Sequence, residues 1–170
     1  MDKMVLRIFQ REVERQCRFA LIAIQDLEQA LQTIDLDRLW YSVQAFLIAA
    51  GNISKLLWPK GSAKRRAELR ASLSVNDDSP LKSRTFRNHF EHFDERLERW
   101  ATSSKRHIFV DSNVGPPTMI AGIEPGDFLR NFDTENFAVT FRGEIYSLRP
   151  LIKAISDLWQ KASIEAEKPW

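Results

Sequence analysis

Arg87 and His92 lie in the densest cluster of chemically useful side chains in this sequence, between Ser79 and Trp100. A guanidinium is permanently charged and presents a flat fork of donors matched to phosphate oxygens, while an imidazole changes charge near neutral pH and can take or give a proton. The Asn88 amide between them could position a phosphate or a ribose. Such a set suits a phosphodiester that carries its own nucleophile, as RNA does in its 2′-hydroxyl. That reaction needs only a base for the hydroxyl proton, a cation for the charge developing on the phosphate, and alignment.

These residues must be positioned by the stretch from Ser79 to Trp100. Phe86, Phe90, Phe93, Leu97 and Trp100 recur at spacings of four, three, four and three residues, which predicts one amphipathic helix with all five in its buried seam. Ser79 before Pro80 reads as the N-cap and first position of that helix. With Phe90 facing the core, the opposite arc carries Arg87, Glu91, Glu95, Asn88, Arg99 and His92. Arg87 and His92 stand at its margins, roughly 140° apart on an ideal helix. A second surface has to complete any site, and a two-fold dimer would supply it by bringing Arg87 of one protomer near His92 of the other.

The run Arg87-Asn88-His89-Phe90-Glu91-His92 resembles the R-polar-x3-6-H motif of HEPN domains. The resemblance implies an all-α bundle with the motif on a late helix. It also implies a metal-independent RNA-cleaving activity of the toxin–antitoxin or phage-defence kind, at a site assembled across a homodimer, although some members have lost catalysis. Carried over residue by residue, it assigns catalytic roles to Arg87, Asn88 and His92. His89 falls at a variable place and receives none. The partners implied are RNA, a second copy of the chain, and a cognate antitoxin or regulatory protein; no cofactor is implied.

A competing reading pairs Arg87 with Glu91 along the helix and makes the arc a solvated face, or a surface on which a partner protein docks. Glu91, Asp94, Glu95 and Glu98 would repel a phosphate unless Arg96, Arg99 or another basic segment offset them. A module that binds a nucleotide without turnover is a third possibility. A metal held by His89 and His92 would need further ligands at defined spacing, and His107 and Cys17 lie in unrelated segments, so no metal site is expected. No phosphate-binding glycine loop or nucleophile elbow is present.

The elements around the motif are legible in the pattern. A chain of 170 residues, 44% hydrophobic and 28% charged, fits one soluble domain. The lone Cys17, the absence of an apolar leader and the absence of any membrane-length apolar run point to the cytoplasm. Met4 to Ile34 keeps a helical period, Asp35-Leu36-Asp37 offers capping carboxylates, and Asp37 to Trp58 is a second, more apolar helix in which Gly51-Asn52 reads as an interruption, with a close crossing or bend. Ala63 to Leu73 reads as a short basic helix. With Lys60 before it, its Lys64, Arg65, Arg66 and Arg70 are the candidates for holding an RNA backbone, against the alternative of a solvated basic face.

Beyond Trp100, short apolar runs at Ile108–Val110, Thr118–Ile120, Phe128-Leu129, Phe137–Phe141 and Ile145–Leu148 alternate with Gly, Pro, Asn and Asp. The last two runs, joined through Arg142-Gly143-Glu144, form the best hairpin signal. A final helix from Leu148 or Arg149 carries Leu151, Ile152, Ile155, Leu158, Trp159 and Ala162 on one face. The expected fold is an all-α, up-and-down bundle of four to five helices. It forms a single domain over 1–170, with a small hairpin-containing β insertion at about 105–147 before the last helix.

Overall fold

Asp2 and Asp35 set the starts of the two longest elements. In the computed structural model, which describes every residue except Ser62, Arg84 to Arg87, Phe90 and Trp170, the Asp2 carboxylate accepts from the amides of Met4 and Val5. Helix α1 (Lys3–Thr33) follows, and Ile34 in the left-handed region ends it. Asp35 then accepts from the Arg38 amide at 3.0 Å and opens α2 (Leu36–Leu57). Such caps satisfy amides that a helix start leaves without partners. Gly51 does not break α2, contrary to the expected interruption: it is buried inside a continuous helix, and Asn52 donates to Gln16 of α1 at 3.2 Å.

The chain divides into two compact units, Met1–Arg84 with Leu151–Trp170, and Thr85–Pro150. In the first, α1 and α2 form an antiparallel hairpin whose core holds Val13, Cys17, Leu27, Leu39, Phe46, Ile53 and Leu57. The basic segment is a 3-10 turn, Ala63–Arg66, followed by α3 (Ala67–Ser72). The C-terminal helix, α5 (Arg149–Glu167), runs antiparallel to α1: Arg7 binds Glu165 at 3.0 Å and the Trp159 indole donates to Glu14 at 3.2 Å. Gln10, almost wholly buried, ties α1 to Ser72 of α3 and accepts from Arg7. Phe19, Ile22, Tyr41 and Ile48 leave a shallow apolar groove open on the hairpin.

The second unit contains the motif segment, α4 (Phe93–Ser103), and a four-stranded sheet in the order β1 (Asn113–Val114), β2 (Arg130–Asp133), β3 (Ala138–Phe141), β4 (Glu144–Ser147). The first pair is parallel and the others are antiparallel. The molecule is therefore mostly helical, with five helices among the described residues and a sheet before the last of them, and it departs from a purely all-α bundle. Strand β2, Arg-Asn-Phe-Asp, has no apolar run to announce it. Its polar residues are buried with partners instead: Asn131 pairs with Asn113, and Asp133 accepts from the amides of Glu135 and Asn136. Thr118–Ile120, expected as a short run of the β region, falls on a 3-10 turn at Pro117–Met119.

The single helix expected from Ser79 to Trp100 is not continuous. Ser79 does cap, but it caps a one-turn 3-10 helix at Pro80–Lys82, and Ser83 is extended. Asn88, His89 and Glu91 are helical, His92 is a turn, and α4 proper begins at Phe93. The expected seam is only partly core. Trp100 is buried and Phe93 half-buried, Leu97 is 40% exposed, and Phe86 and Phe90 lie outside the described residues. No described helix is long and apolar enough to cross a membrane.

Candidate functional site

Of the three motif residues, Arg87 lies outside the described residues. Asn88 is helical and half-buried, and its carbonyl accepts from the His92 amide at 3.1 Å. His92 occupies the N-cap position of α4 with its side chain 55% exposed. Its Nδ1 faces Glu95 Oε1 at 3.3 Å, and its Nε2 makes no hydrogen bond among the described residues. A carboxylate facing one ring nitrogen favours the tautomer with the proton on Nδ1 whenever the imidazole is neutral. Glu95, expected only as a source of repulsion, is thus an orienting partner.

The residue given no role, His89, is the one the fold encloses. It is 8% exposed, and its ring lies flat on Phe141 of β3, centroids 4.8 Å apart and planes 11° apart. Its Nε2 is 3.0 Å from the Tyr146 hydroxyl and 3.3 Å from Glu144 Oε2. Tyr146 donates its own proton to Glu144 in a short hydrogen bond, so its oxygen can only accept, and Nε2 of His89 is the donor. The bond from Tyr146, with His89 and Arg96 adding to it against a smaller opposing burial effect, holds the Glu144 carboxyl below the ordinary glutamate range. Burial and the same bond push the Tyr146 phenol up.

These side chains form one wall of a cleft of about 310 Å³ lined by His89, Arg96, Arg99, Phe141, Arg142 and Glu144. Arg142 and Gly143 turn the β3–β4 hairpin with φ of 48° and 84°, the two positive values that a tight type I′ turn requires. The Arg142 guanidinium donates to Ser103 at the end of α4 at 3.1 Å. Arg96 is half-buried, and its Nε has no hydrogen-bond partner among the described residues. Only the fold reveals this cleft, because the hairpin that completes it is more than forty residues from His89 in the chain.

The basic segment is less available than its composition suggests. Arg70 is held inward: it donates to the Leu57 carbonyl at the end of α2 at 2.8 Å, pairs with Asp77 at 3.4 Å and stands over the Trp58 ring. Arg66 stacks on Phe9, its guanidinium carbon 3.9 Å from the ring centroid. Both therefore serve the packing of the first unit, and Lys60, Lys64 and Arg65 remain as exposed cations.

Cys17 is buried, and its burial, with Glu14 nearby, pushes the thiol up to about 12, which leaves it inert as a nucleophile at neutral pH. No three His, Cys, Asp or Glu side chains among the described residues gather into a metal-binding set. No family model, curated protein or solved structure matches the chain.

Proposed function

We propose that the chain is a HEPN-like, metal-independent endoribonuclease of toxin or defence type, working in the cytoplasm as a homodimer whose site is shared between protomers. The observation that carries this reading is the His92–Glu95 pair, an exposed imidazole with its Nδ1 facing a carboxylate and its Nε2 without a hydrogen bond among the described residues. That is the arrangement a general base needs.

In the proposed reaction Nε2 of His92 takes the proton of a ribose 2′-hydroxyl. The 2′-oxygen bonds to the adjacent phosphorus, the bond from phosphorus to the 5′-oxygen breaks, and that oxygen takes a proton from a water molecule, which the protonated His92 then restores. The products are a 2′,3′-cyclic phosphate and a 5′-hydroxyl. Arg87, on the strength of the motif, stabilises the charge on the non-bridging oxygens, and Asn88 positions the phosphate or the ribose. Lys60, Lys64 and Arg65 are the exposed cations suited to holding RNA backbone, and a cognate antitoxin or regulatory protein would restrain the activity.

The test is incubation of the full chain with single-stranded and folded RNA in EDTA, beside Arg87→Ala and His92→Ala. Cleavage leaving cyclic phosphates, lost in both variants, supports the reading. Wild-type protein inert on every RNA overturns it in favour of a non-catalytic interaction or nucleotide-binding module.

A further inference from the structure

We propose that the cleft between α4 and the β3–β4 hairpin is a binding site for a phosphate monoester, held by Arg96, Arg99 and Arg142. Its lining carries three guanidinium groups and one carboxylate, Glu144, so three minus one leaves a surplus of two positive charges. A monoester dianion matches that surplus, and a diester, with one charge, matches half of it. Arginine forks match phosphate oxygens in pairs, so three of them lining one cleft suit a phosphate group. At about 310 Å³ the cleft is at the small end of ligand pockets, with room for a phosphate and a sugar.

Arg142 holds φ of 48° at the hairpin turn, and its side chain lines the cleft. His89, Tyr146 and Glu144 are positioning residues here. The stacked imidazole and the hydrogen bonds from Tyr146 and His89 hold the one carboxylate at the cleft wall.

This site goes beyond the cleavage reading and does not depend on it, since it is tested by binding without turnover and in His92→Ala as well as wild type. The phosphate could be borne by a free nucleotide or by the end of an RNA strand. Calorimetric titration with inorganic phosphate, adenosine 5′-monophosphate, dimethyl phosphate, and a short RNA with and without a 5′-phosphate separates these.

The expected result is saturable binding of phosphate and the monophosphate with stronger binding than the diester, and about ten-fold or greater weakening in both Arg99→Gln and Arg142→Asn. Asparagine suits the turn, so Arg142→Asn should melt no lower than wild type, which separates lost binding from lost folding. Tighter binding of the phosphorylated strand than of the mononucleotide assigns the site to an RNA end, and the reverse assigns it to a free nucleotide; either result supports the site. No binding of phosphate, nucleotide or phosphorylated strand at millimolar concentration overturns it. So does binding unchanged in both variants.

Discussion

At the scale of single residues, the two histidines of the motif segment have opposite surroundings, and their consequences differ accordingly. His92 is exposed and faces Glu95, so on the proposed mechanism His92→Ala should lower kcat by about a hundred-fold or more, the usual share of a general base, with little change in helicity. Glu95→Ala should act through the same imidazole. We expect a smaller fall in kcat with KM nearly unchanged, read by steady-state cleavage of a labelled RNA. His89 is packed, and Glu144 beside it titrates below the ordinary glutamate value of about 4.3. A carboxyl whose folded pKa is depressed adds stability above its unfolded pKa, and that contribution is lost as pH falls through the folded value. Near-ultraviolet circular dichroism from pH 7 to pH 2 should therefore show a transition below about pH 4 whose slope is reduced in Glu144→Gln.

At the scale of elements, the long helices were legible because a 3.6-residue period and capping carboxylates report local physics that packing only reinforces. The motif helix was not, since its apolar spacing satisfied the same test although the chain is extended at Ser83 and turns at His92. The competing interaction is tertiary: His89 stacks on β3 and bonds to β4, partners that no local window contains. Strand β2 escaped notice for a related reason, its buried Asn131 and Asp133 reading as loop until their partners are known.

The hairpin supplies a test of turn physics. Gly143 has φ of 84°, and an added Cβ would meet the Pro125 Cβ at 3.3 Å; Gly61, at φ of 73°, has open space around it. Both changes to alanine should cost about 1–2 kcal/mol for the backbone, and Gly143→Ala should cost more, measured by urea unfolding with emission from the tryptophans.

At the scale of the whole molecule, the proposed site needs two copies of the chain, and this can be tested without a structure of the pair. If Arg87 of one protomer works with His92 of the other, Arg87→Ala and His92→Ala chains, each inactive alone, should regain about a quarter of wild-type activity when mixed equally and allowed to exchange, because half the dimers are mixed and each mixed dimer has one intact site. Sites contained within one chain would regain none.

The sequence alone determined the helical hairpin, the closing helix, the β3–β4 hairpin and the candidate motif, all of which follow from periodicity, caps, turn residues and short spacing. Only the tertiary structure decided that His89 is enclosed, that Arg70 and Arg66 serve packing, and that Arg96, Arg99 and Arg142 share a cleft with Glu144. The physical reason is separation along the chain. Charge and titration depend on neighbours in space, and the groups that surround His89 arrive on a hairpin whose register is set by pairing with β2, not by anything near His89 in the sequence.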